Sequence, residues 1–116
     1  MKEQFKQAGY IVPATGIDTV KNHKEMIVRF DIAAIAPEED NSHEDEFECE
    51  SVRVARSAEY GDIVSAIVND RYSSDRMQAV VNNHLLDASE EHEAEFQAMQ
   101  LWRAKAKAVA KTVLGI

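Results

Sequence analysis

At 116 residues, with 45% apolar and 29% charged side chains, the chain has the length of one domain and the composition of a globular one. With only two prolines and four glycines, the composition lies far from a disordered one. The formal net charge of −8 belongs to one segment: eight acids and no Lys or Arg lie between Glu38 and Glu50, leaving thirteen of each sign elsewhere. A body so balanced lacks the concentrated basic field that draws phosphate backbones, which disfavours a nucleic-acid binder.

The single cysteine, Cys49, has no partner for an internal disulfide, and the opening Met1, Lys2, Glu3, Gln4, Phe5 and Lys6 lack the apolar run of an export signal. The longest purely apolar stretch, Ile32 to Ala36, is five residues, against roughly 20 for a bilayer-spanning helix. The expectation is a soluble cytoplasmic protein with no membrane crossing.

The first half carries strand patterns. Tyr10 to Ala14 is a short candidate, placed at a sheet edge by Pro13 because proline cannot donate to a ladder. A polar connection with Gly16, Asp18 and Asn22 leads to Glu25–Asp31, where Met26, Val28, Phe30 and Ile32 alternate with Glu25, Arg29 and Asp31. Pro37 ends this strand. The acidic segment from Glu38 to Glu46 reads as a solvated loop. A third strand follows from Phe47 to Arg56, and its parity changes: Phe47 and Cys49 share one phase, Val52 and Val54 the other. A β-bulge near Glu50 and Ser51 would return both pairs to one face.

The second half is helical. Tyr60, Ile63, Val64, Ile67 and Val68 recur at spacings of three and four, with Ser57 placed to cap the start. Met77, Val80, Val81, His84 and Leu85 repeat the pattern after Ser73 or Ser74, and the short link at Arg71 and Tyr72 predicts that these two helices pack as neighbours. The third helix starts at Asp87 with Glu90, or at Ser89 with His92. Its seam is Met99, Trp102, Ala106, Val109 and Val113, with acids at the front, bases behind, and Gly115 as the stop.

Residues that could carry chemistry have simpler readings. His84 lies within an apolar stripe without a companion nearby in sequence, as a core histidine with one hydrogen-bond partner does. His92 stands among Glu90, Glu91, Glu93 and Glu95, but no zinc-type spacing is present. Asp40, Ser42 and Glu44 alternate like calcium ligands, yet no glycine turns the loop and Ser51 occupies the twelfth position, where a bidentate acid is needed. Glu48 and Glu50 would raise the pKa of the Cys49 thiol, so it reads as core filler rather than nucleophile. Arg76, Gln78, Asn82 and Asn83 are base-reading residue types on the second helix of a possible helix-turn-helix, but Glu59 to Leu86 carries four acids and two bases. Trp102, on the seam, is expected in the core. No catalytic, cofactor-binding or metal-ligating residue is assigned.

The runs Tyr60-Gly61-Asp62-Ile63-Val64-Ser65-Ala66-Ile67, Arg71-Tyr72-Ser73 and Glu95-Phe96-Gln97-Ala98-Met99-Gln100-Leu101-Trp102-Arg103 resemble the helical ends of small uncharacterised phage and prophage proteins of gut bacteria. Some similar segments occur in tail-fibre accessory proteins. The likeness covers Tyr60 to Arg103, in the helical half only, and implies no catalytic residues.

The expected fold is α+β: one domain over residues 1–116, its strand half (1–57) forming a small antiparallel sheet of about three strands, packed against three helices from the half 58–116. The expected function is that of a non-enzymatic accessory or protein-interaction protein, encoded by a prophage or other mobile element, with no cofactor. It would act on an unknown protein partner as a monomer or homodimer. The rival reading is a nucleic-acid role, as a helix-turn-helix reader or an acidic DNA mimic. A second rival, an enzyme with an unfamiliar site, would bring His84 together with a carboxylate in a deep pocket.

Overall fold

The computed structural model describes residues 1–35, 45–87 and 89–116. Apart from Asp45 and Glu46, the acidic segment 38–46 lies outside them, and so do the expectations placed on it and on Pro37. The chain divides into two compact units, Met1–Ser57 and Ala58–Ile116, at the point where the sequence passes from strand to helix periodicity. The fold is α+β. Its sheet has four antiparallel strands among the described residues, one more than expected: β1 (Lys2–Lys6), β2 (Asp18–Lys21), β3 (Glu25–Ala34) and β4 (Glu46–Ala55), in the order β1-β4-β3-β2.

Two strand expectations are corrected. Tyr10 to Ala14 forms no strand; Tyr10 and Val12 instead pack as loop side chains on the cluster Ile32, Phe47 and Cys49. The edges are β1 and β2, whose charged sequences hide them from a hydrophobic pattern. Both lie against long apolar strands, with Phe5 opposite Phe47 and Val20 opposite Ile27. Lysines at Lys2, Lys6 and Lys21 suit edge strands, since solvated charge discourages pairing with another chain.

The bulge exists, but on the partner strand. The β3–β4 ladder runs unbroken through Arg29 opposite Ser51 and Phe30 opposite Glu50, then resumes with Ala33 opposite Glu48. Asp31 and Ile32 therefore face Cys49 alone, and Asp31 takes the left-handed conformation at φ 53°. Ile32 is thereby turned away from the face of Met26, Val28 and Phe30 and into the cluster with Phe47 and Cys49. The parity change in β4 has a different cause from the one expected: Phe47 and Cys49 are buried on one face of the sheet, and Glu50 and Val52 on the other. Glu48 and Arg53 remain exposed.

In the second unit, α1 (Tyr60–Arg71), α2 (Ser74–Leu86) and α3 (Glu90–Leu114) follow the predicted stripes. Glu59, not Ser57, precedes α1 as its N-cap; its backbone N–H donates to Asp62 Oδ2 at 2.9 Å. Ser73 caps α2 by accepting from the Arg76 N–H, and Ser89 caps α3 by accepting from His92. Gly115, at φ 70°, ends α3 in the left-handed conformation that glycine adopts without strain. The expected hairpin of the first two helices is not formed as such: α1 and α2 each pack on α3 rather than chiefly on each other. Ile63, Ile67, Val68, Val80, Met99, Trp102, Ala106, Val109 and Ala110 are buried, so the seam on α3 is the spine of this unit.

Candidate functional site

His84 has acquired a carboxylate. Its Nε2 lies 2.5 Å from Glu93 Oε2, its ring stacks on Phe96 with centroids 4.0 Å apart, and Gln97 Nε2 donates to Glu93 Oε1 at 2.9 Å. The short link between α2 and α3 turns the chain back, which is why residues nine apart in sequence meet. Gln97 first, and His84 after it, hold the Glu93 carboxyl below its usual range. A histidine–carboxylate pair can orient an imidazole as a general base, and here the carboxylate engages Nε2. Among the described residues no hydroxyl or thiol hydrogen-bonds to the pair. The arrangement pins α2 to α3, as a structural histidine does, though with a charged partner and an aromatic ring that sequence order alone conceals.

His92 has a local role too. Its Nδ1 is 2.9 Å from the Asp87 carbonyl, closing the turn before α3. Among the described residues no group of three or more His, Cys, Asp or Glu side chains could hold a metal ion.

On the sheet, the Glu3 carboxylate accepts from Arg29 Nε at 2.7 Å and from Cys49 Sγ at 3.7 Å, while the Arg29 guanidinium lies 4.1 Å from the centroid of the Phe5 ring. Burial, then the Glu3 charge, push the Cys49 thiol up to about 11, so it is protonated and unreactive at neutral pH. Nearby, the Tyr10 hydroxyl donates to Asp18 Oδ2 at 2.9 Å; burial and that bond raise its pKa to about 12. These groups join β1, β2, β3 and β4 to the loop at Tyr10. They form a polar brace.

Arg76, Gln78, Asn82 and Asn83 are exposed on α2 but do not share a face. At about 100° per residue, Arg76 and Asn83 lie beside the buried stripe at Val80, whereas Gln78 and Asn82 lie on the far side of the helix. The exposed apolar residues of this unit were not singled out by the sequence pattern as surface features. Leu85, Leu86 and Leu101 are 75%, 87% and 71% exposed. The spacing puts Leu85 in the buried stripe, and the structure corrects that: it lies at the end of α2, past the last buried position, Val80. No helix among the described residues is long and apolar enough to cross a membrane. No protein-family model matches the chain, and neither a curated protein nor a solved structure matches it.

Proposed function

We propose that the protein is a non-enzymatic accessory or interaction protein of a prophage or similar mobile element, acting in the cytoplasm through contacts with another protein. The observation that carries this reading is the exposure of Leu85, Leu86 and Leu101 on a unit whose two histidines are both engaged in local structural contacts. Single exposed apolar residues are ordinary, but three exposed leucines on one small helical unit offer apolar anchors for a protein contact. The resemblance of Tyr60–Arg103 to phage-type helical segments supports the mobile-element origin. The nucleic-acid alternative has the residue types of α2 in its favour and their division between two faces against it.

The test is photo-cross-linking in the source cell from position 86, with wild-type protein and with Leu85→Glu/Leu86→Glu and Leu101→Glu variants as competitors. A protein adduct displaced by wild type and not by at least one variant supports the reading. Cross-links only to nucleic acid, or competition by every variant alike, would reject it.

A further inference from the structure

The long helix α3 has two sides with different fates. Met99, Trp102, Ala106 and Val109 are buried, while Leu101, near the middle of the 25 residues, is 71% exposed. Helical spacing puts Ala94 and Ala108 seven residues before and after Leu101 on the same outer face, and both are exposed. We propose that this face docks a second copy of the chain, α3 against α3 in antiparallel sense, an inference that rests on the interaction reading above and names its partner.

Charge selects both the occupant and the direction. The first turn of α3 carries Glu90 and Glu91 beside Glu93, which His84 and Gln97 already engage, and its C-terminal half carries Lys107 and Lys111. Such a helix is complementary to itself when reversed: each acidic start then meets the other copy's basic end, and the helix dipoles oppose favourably as well. A parallel pair would set like charges side by side. Because Leu101 lies close to the midpoint, a two-fold axis there lets Leu101 meet its own counterpart while Ala94 of one copy faces Ala108 of the other. Small side chains at those positions allow the backbones to approach over a helix roughly 37 Å long.

A face with one large apolar side chain is small beside the roughly 1,200–2,000 Å² of specific interfaces, so the expected dimer is weak, with a dissociation constant in the micromolar range or above.

Sedimentation velocity on the full chain across concentrations from about one micromolar to one millimolar reads this directly. The wild type should move from monomer to dimer. Leu101→Glu, at an exposed position and first checked for native folding by circular dichroism, should raise the dimer dissociation constant at least tenfold, whereas Leu85→Glu should not. Direction is read by oxidative cross-linking: Ala94→Cys mixed with Ala108→Cys should give the mixed disulfide, with neither variant cross-linking to itself. A wild type that stays monomeric throughout, a dimer indifferent to Leu101→Glu, or self-linked Ala94→Cys would each overturn the proposal. If the chain is monomeric yet Leu101→Glu abolishes the cellular cross-link described above, the self-pairing fails and the interaction reading stands; if both vanish, both fail.

Discussion

The indole of Trp102 is 6% exposed, donates its Nε1–H to the Ile67 carbonyl at 2.9 Å, and carries the Arg71 guanidinium 3.6 Å from its ring centroid. It ties α3 to the last turns of α1 by packing, a buried hydrogen bond and a cation–π contact at once. Trp102→Ala should cost about 3–5 kcal/mol in urea melts, the usual range for removing a large buried aromatic. The tryptophan's place on a seam was legible because spacing of three and four is a local property. Its partners were not, since Ile67 and Arg71 stand more than thirty residues away in the chain. The same holds for the Glu3, Arg29 and Cys49 brace, which three separate strands assemble. That brace has a pH signature. Tyr10 and Cys49 are held neutral in the fold, with pKa values raised from 10.0 to about 12 and from 9.0 to about 11. The fold thus binds their protons more tightly than the unfolded chain does. Their contribution is complete below pH 9.0 and is lost as pH rises through about 11 and then about 12. Urea midpoints should therefore fall between about pH 9 and 12, and those of Tyr10→Phe, which lacks the Tyr10 proton, should fall less.

At the scale of elements, caps and stripes were readable and strand edges were not. Ser73, Ser89 and Gly115 do what their residue types do best at helix ends, so the boundaries of α2 and α3 came from chemistry confined to a few residues. The edge strands hold few apolar residues, and a strand that owes its existence to a neighbour's ladder leaves no periodic trace. The parity change in β4 was a real signal with two explanations: an extra residue, or burial of both faces. Sequence could not choose between them, because the choice depends on what lies opposite Cys49. The extra residue is in β3, where Asp31 sits at φ 53°, a region that costs a branched side chain most. Asp31→Ile should destabilise the protein by about 1–2 kcal/mol, while Asp31→Asn, which tolerates the same backbone, should stay within about 0.5 kcal/mol of wild type. Thermal melts of the two variants side by side separate backbone strain from loss of the carboxylate.

For the whole molecule, charge is the property that sequence determines most completely and that bears most on the choice of partner. Eight of the 21 acids fall between Glu38 and Glu50, and the remainder of the chain carries acids and bases in equal number. Duplex DNA binding depends on several phosphate contacts, each releasing counterions, and a neutral body beside an acidic segment supplies no such field. The structure adds a geometric objection. A recognition helix enters the major groove with one face, yet the base-reading residue types on α2 divide, with Arg76 and Asn83 beside the buried stripe and Gln78 and Asn82 across from it. Asp62, Asp70 and Asp75 are exposed on the same two helices and would repel phosphates. Fluorescence anisotropy with a random 20-base-pair duplex should show no saturable binding up to about 100 µM protein, even at about 50 mM salt where non-specific binders gain most. Arg76→Ala and the Asp75→Asn variant should change nothing. Saturable binding that weakens steeply with salt, and that Arg76→Ala reduces further, would transfer the function to nucleic acid. The exposed leucines would then need another explanation.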